Sequence, residues 1–273
     1  MTGDSAGPPV PAYRGAVRRL LGLLIASVLL VPVGGGAAHA RVEPMPRGTD
    51  GDYQLGGEDS VPSHVGIVAR DRTESPVNAK YNVCYVNGFQ TQPNEKRFWQ
   101  HHSHRDLVLR KNGRPVVDEN WGEWLLDIRT PAKRKRLASI MGRWIAGCAA
   151  HGFQAVEFDN LDSYTRSRWL LHREDAVAFA RLLVREAHEA GLAAAQKNLA
   201  DLDGTRLGFD LAVVESCAEF AECWRYVRYY GSQVLMVEYR RADFDKGCER
   251  YGRTHPVVLR DLDLSPSYTP RFC

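Results

Sequence analysis

The chain predicts an α/β fold, a single-domain (β/α)₈ barrel with a long loop after its third strand, and three observations carry the prediction. Eight short β-rich runs alternate with helical patterns, the arrangement that builds a parallel sheet wrapped by helices. Nearly every run ends in a polar or charged group, and in a barrel those C-terminal strand ends ring one mouth, where the sites of this fold lie. A doubly wound open sheet is the competing fold, but no glycine-rich phosphate loop follows the first run.

Residues 1–40 read as a signal peptide. Arg14, Arg18 and Arg19 precede the apolar run Leu20 to Val33, and Ala38-His39-Ala40 supplies a small-residue cleavage signal. The run is shorter than the ~20 residues a membrane-spanning helix needs, so a secreted, extracellular protein without stable membrane association is expected. Removing the segment takes away three Arg and one Asp and lowers the net charge from +3 to +1, which leaves no electrostatic footprint for nucleic acid. The basic run Lys133-Arg134-Lys135-Arg136 falls in the first turns of a predicted helix and reads as a solvated face. Residues 41–51 read as an N-terminal linker and 52–273 as the barrel, which is expected to act as a monomer.

The candidate strands are Tyr53 to Leu55, Val65 to Val68, Tyr81 to Val86, Ala155 to Phe158, Ala193 to Gln196, Leu211 to Val214, Val234 to Val237 and Pro256 to Leu259. Their polar ends are Gln54, Arg70 and Asp71, Asn87, Asp159, Lys197 and Asn198, Glu215, Glu238, and Arg260 and Asp261. The clearest helix opens at Thr130-Pro131, an N-cap with Pro at N1, carries Leu137, Ile140, Met141, Trp144, Ile145 and Cys148 on one face, and stops before Gly152. A second runs from Arg173 to Ala190 and ends at Gly191, a C′ glycine. Weaker patterns cover Ala218 to Tyr230 and Ala242 to Tyr251. The connection from Asn87 to Thr130 is long for a compact domain and is expected to fold over the mouth. It holds Trp99, Trp121 and Trp124, whose faces can stack on sugar rings or simply pack.

Six cysteines, Cys84, Cys148, Cys217, Cys223, Cys248 and Cys273, suit up to three disulfides in an exported chain. If Asn87 faces the mouth, Val83 and Tyr85 point inward and Cys84 outward to the helix layer, where Cys148 lies on the apolar stripe. Cys84–Cys148 is therefore the first expected bridge, Cys217–Cys223 closes a small loop, and Cys248–Cys273 ties down the C-terminal segment. Zinc is the weaker reading, since no CxxC or HxxxH pair occurs and His101, His102 and His104 have no matching second group. No metal and no cofactor are expected.

The densest chemistry lies in Val156-Glu157-Phe158-Asp159-Asn160-Leu161-Asp162 and, downstream, in Leu211-Ala212-Val213-Val214-Glu215. In an extended chain Glu157 and Asp159 share one face, and Val156 and Phe158 share the other. Unpaired carboxylates are costly to desolvate, so the acidic face needs a solvated pocket or a buried counter-charge. Asp159 alone also fits an N-cap, but recurrence of carboxylates at other strand ends favours a hydrolytic pair.

With Asp52-Tyr53-Gln54-Leu55-Gly56-Gly57, Asn82-Val83-Cys84-Tyr85-Val86-Asn87, Trp124-Leu125-Leu126-Asp127-Ile128-Arg129, Gln196-Lys197-Asn198, Glu215-Ser216-Cys217 and Leu259-Arg260-Asp261-Leu262-Asp263 added, the order and spacing resemble glycoside hydrolase family 114 over nearly the whole mature chain. That family comprises secreted endo-α-1,4-polygalactosaminidases on a (β/α)₈ barrel. It usually reads Glu-Pro-Asp-Asn where this chain has Phe158, a change on the outward face. The resemblance implies that Asp159 and Glu215 are the catalytic pair, with Asp159 as nucleophile and Glu215 as acid/base. It further implies a polysaccharide substrate, contacted by Gln54, Asn87, Trp124, Asp127, Glu157, Asn160, Asp162, Lys197, Asn198, Glu238, Tyr239 and Asp261. Lys197 is expected to hold a neighbouring carboxylate ionised. A non-catalytic sugar-binding barrel and a hydrolase of another amino-sugar polymer remain open alternatives. Retention or inversion depends on a carboxyl separation of roughly 5 Å or roughly 6.5 to 9.5 Å, which the sequence does not supply.

Overall fold

The computed structural model describes residues 42–273; the signal-peptide reading lies outside them. Eight parallel strands follow one another around a barrel: β1 Asp50–Gln54, β2 Val65–Asp71, β3 Tyr81–Asn87, β4 Ala155–Asp159, β5 Ala193–Lys197, β6 Leu211–Glu215, β7 Val234–Glu238 and β8 Val257–Leu259. All eight expected strands are present, most of them one residue longer so that the polar end belongs to the strand. Each pairs in parallel with the next. A two-residue strand, β9 Arg271–Phe272, adds antiparallel to β8.

Alternation splits the apolar residues into two cores. Tyr53, Ile67, Ala69, Val83, Ala155, Ala195, Val213, Leu235, Val237 and Val258 fill the barrel, while Val86, Val156, Phe158, Ala194, Val214 and Met236 face outward into the helix layer. Phe158 is fully buried there, so the side chain at this position packs behind the sheet and leaves the mouth untouched.

Between β1 and β8 there is contact but no ladder. Gly51 fits there because a Cβ would stand 2.6 Å from the Leu235 side chain. Just past β8, Arg260 donates to Asp52 Oδ1 at 2.7 Å, with both side chains 1% exposed. Asp52 also accepts from Tyr53 N and Gln54 Nε2, so its desolvation is met by three donors. The stretch expected as a linker is partly built into the barrel. Met45 is buried against the floor, exchanges hydrogen bonds with Gln233 at 2.7 and 3.0 Å, and β1 begins at Asp50.

Helix α1, Pro131–His151, has Thr130 Oγ1 accepting from Lys133 N and ends at left-handed Gly152. Helix α2, Arg173–Glu189, is followed by Ala190 and then Gly191 at φ +78°. Helices α3, Cys223–Tyr230, and α4, Arg241–Tyr251, complete the layer. Helix α3 starts five residues later than its pattern suggested, because residues 216–222 form a turn closed by Cys217–Cys223. The other bridges are Cys84–Cys148, which pins β3 to α1 as the register implied, and the expected Cys248–Cys273. The basic run is tied down: Lys133 pairs with Asp127, Arg134 with Asp175 and Arg136 with Asp106.

The long connection after β3 folds into a short helix, Lys96–Gln100, and two small hairpins, Arg110–Lys111 with Arg114–Pro115 and Val117–Asp118 with Glu123–Trp124. Trp99 is buried at its base. The second hairpin turns at the mouth and leaves Trp121 58% exposed. No helix among the described residues is long and apolar enough to cross a membrane.

Candidate active site

Strands β4, β5 and β6 each end with an inward charged side chain: Asp159, Lys197 and Glu215. The residue after each one is left-handed, Asn160 at φ +65°, Asn198 at +50° and Ser216 at +54°. The two asparagines suit this conformation better than most residues. Both also act on the charged side chains. Asn160 N donates to Asp159 Oδ1 at 2.7 Å, while Asn198 donates to Glu215 Oε2 at 3.2 Å and accepts from Glu215 N at 2.8 Å.

Lys197 is the hub, 2% exposed. Its ammonium lies 3.1 Å from Glu157, 3.5 Å from Asp159 and 3.1 Å from Glu215, and it donates to Tyr53 Oη at 2.8 Å. Burial favours the neutral amine, but Asp159, Glu215 and Glu157 outweigh it and hold the pKa well above the usual lysine value. Around the hub three phenols donate to carboxylates: Tyr53 to Glu157 at 2.7 Å, Tyr85 to Asp159 at 2.8 Å, and Tyr239 to Glu215. Burial, reinforced by these carboxylates, raises all three phenols and keeps them protonated as donors.

The three carboxylates are not equivalent. Glu157 is fully buried behind Lys197, and burial pushes its carboxyl up to about 7 against the pull of the ammonium. Asp159 and Glu215 are 19% and 25% exposed and line a cleft of about 680 Å³. Their nearest oxygens lie within about 6.6 Å of each other, the two lysine contacts laid end to end. The cleft wall holds eight carboxylates against two cations, Lys197 and Arg166.

Of the other expected contacts, Asn160, Asp162, Asn198 and Tyr239 line the cleft. Asn87 is buried behind it and joins Glu123 to Asn160 at 2.9 and 3.0 Å. Seven expected contacts are corrected: besides Asn87, Glu157 is fully buried behind Lys197 and out of reach of a substrate, and five more lie off the cleft. Gln54 and Glu238 alternate with the inward Tyr53 and Val237 and so face away, Gln54 binding Arg70 and Asp52 and Glu238 accepting from Ala218 N. Asp127 is buried at the start of α1 between Arg129 and Lys133. Trp124 packs against the outer core, and Trp121 at the hairpin tip reaches the cleft in its stead. Asp261 caps Ser265 N, and Leu262, Asp263 and Leu264 form the wall there.

Sequence reasoning missed Tyr53 and Tyr85 as site residues, although alternation from Asn87 marks Tyr85 as inward. It also missed Asp118 and Glu123, which only the fold of the long loop brings in, and the same fold selects Trp121 among the three loop tryptophans. Glu123 is raised to about 7, chiefly by burial and also by Asp159, with the Asn87 hydrogen bond opposing.

A barrel mouth with two carboxyl groups this close, both open to a cleft, is the arrangement of a glycosidase. The chain belongs to glycoside hydrolase family GH114, whose model matches residues 35–273. Its fold is shared, at 19% identity and a TM-score of 0.67, with Ega3 of Aspergillus fumigatus, solved in complex with galactosamine, over 85% of this chain and 98% of that one. The glycoside hydrolase domain of PelA from Pseudomonas aeruginosa follows at 14% identity and a TM-score of 0.56, covering 83% and 98%. A search of curated protein sequences finds no match.

Proposed function

We propose that the protein is an exported, endo-acting glycosidase that cleaves α-1,4-linked galactosamine-containing polysaccharide, with Asp159 as nucleophile and Glu215 as acid/base. The observation that carries this reading is the flanking of Lys197 by two carboxylates that alone among its three reach the cleft. With Asp159 as nucleophile the reaction retains the anomeric configuration, and nearest oxygens within about 6.6 Å of each other allow the two carboxyl groups to act on one glycosidic bond. Asp159 accepts from Tyr85 Oη and Asn160 N and lies 3.5 Å from the Lys197 ammonium, contacts that fix its carboxylate at the cleft in the position a nucleophile needs. Glu215 borders a second concavity as well as the main cleft, where a group that protonates the leaving oxygen belongs.

The excess of carboxylates in the wall suits a polymer that carries ammonium groups, and the galactosamine bound to Ega3 supports the same class. Three disulfides support an oxidising, extracellular setting. Incubation with a panel of amino-sugar polymers should release reducing ends from partly deacetylated α-1,4-galactosaminan, with the α-anomer appearing first by NMR. Wild type and Asp159→Asn giving the same null across the panel would overturn catalysis, and a first-formed β-anomer would overturn retention.

A further inference from the structure

Resting on the assignment of Glu215 as the acid, we infer that the loop Ser216–Glu222 builds a leaving-group-side sugar subsite with Phe220 as its stacking platform. A concavity of about 380 Å³ lies beyond Glu215. It shares Asp162, Asn198 and Glu215 with the main cleft, so the two are one continuous trough with the acid at their junction. Asp159, Tyr85 and Lys197 border only the main cleft. A sugar whose anomeric carbon sits over Asp159 therefore fills the main cleft, and the sugar that departs after protonation by Glu215 fills the second lobe.

Phe220 walls that lobe and is 66% exposed. Its exposure is not slackness of the loop. Cys217–Cys223 closes the turn covalently, Phe220 N donates to Ser216 O at 3.2 Å, and Glu222 N donates to Cys217 O at 2.9 Å. Below, Ser216 N donates to Val237 O at 2.8 Å and Ala218 N to buried Glu238 at 2.8 Å. An aromatic ring fixed in water beside a polar trough offers apolar area to a sugar C–H face at little ordering cost. Asp201 and Glu222 border the same lobe and supply carboxylates for an ammonium or hydroxyl groups of that sugar.

The test compares two substrates in wild type, Phe220→Ala and Phe220→Trp. One is the polymer; the other is an α-galactosaminyl oligosaccharide fluoride, whose leaving group is a single atom and leaves the second lobe empty. Phe220→Ala should lower the ratio of polymer kcat/KM to fluoride kcat/KM about tenfold, the effect of one lost stacking contact, and Phe220→Trp should restore it. A ratio unchanged in Phe220→Ala overturns the subsite. Binding of galactosamine oligosaccharide to Asp159→Asn, read by NMR, separates the two levels. Contacts from a sugar to the Phe220 ring, with binding weakened in Phe220→Ala, support the subsite even if no substrate is cleaved, and binding indifferent to Phe220 refutes it.

Discussion

Replacing Lys197 by Met removes the single ammonium that touches Glu157, Asp159 and Glu215 at 3.1, 3.5 and 3.1 Å. At an effective dielectric constant of about 20, charges at these distances attract by about 5 kcal/mol per pair. Most of that gross attraction offsets desolvation, and removing one partner of a buried ion cluster costs about 3–5 kcal/mol net. The cost should depend on pH. Without the ammonium Glu157, already raised to about 7 by burial against the pull of Lys197, rises further above the unfolded value of about 4.3. A raised carboxyl contributes stability that is present below the unfolded pKa and lost as pH rises through the folded one. The variant should therefore lose stability by up to about 1.4 kcal/mol per pH unit for each such group across that window. Urea unfolding at pH 5 and pH 8 measures it, with the larger deficit expected at pH 8. Adding Glu157→Gln removes the most buried charge and should recover part of the pH 8 deficit. Equal deficits at both pH values, or a double variant no more stable than Lys197→Met, would show that the ammonium does not hold this cluster ionised.

Glu215→Gln should slow polymer cleavage by about 10² to 10⁴ with circular dichroism unchanged; full activity would remove Glu215 from the chemistry. Burial raises Glu238 to about 7, so its contribution is present below about pH 4.3 and lost as pH rises through about 7. Glu238→Gln keeps an oxygen for Ala218 N and should flatten the decline in urea midpoint between pH 5 and 8; an unaltered slope would refute that. Cys84→Ala with Cys148→Ala opens a link across 64 residues, worth about 4 kcal/mol in the chain-entropy model. Mass mapping of the wild type should find the two joined, and free thiols would contradict the β3 register.

What was legible in the sequence was periodic. Strand ends marked Asp159, Lys197 and Glu215 because an inward charged residue closes each apolar run. Alternation tells only which residues share a face; Gln54 and Glu238 face outward because the ladder sets Tyr53 beside Ala69 and Val237 beside Glu215, a register the sequence does not carry. Asp118 and Glu123, and the choice of Trp121 among the loop tryptophans, were beyond reach for a different reason: a hairpin of two-residue strands places them, and its position depends on contacts such as Leu126 N to Phe89 O that no local pattern encodes. Trp124 illustrates the point. It looked as good a sugar platform as Trp121 until the turn put one on the core and the other in the cleft.

The contact without a ladder between β1 and β8 has a bearing on how the protein avoids sticking to other molecules. A sheet that fails to close leaves rows of unpaired amides able to recruit strands from other molecules. Here β7 takes one side of β8 and the Arg271–Phe272 strand takes the other, with Phe272 edge-on to His64 and Cys273 bonded to Cys248. The third disulfide thus acts as a guard on an otherwise sticky border, and it offers a chemical reason for the barrel to spend two cysteines on so short a strand.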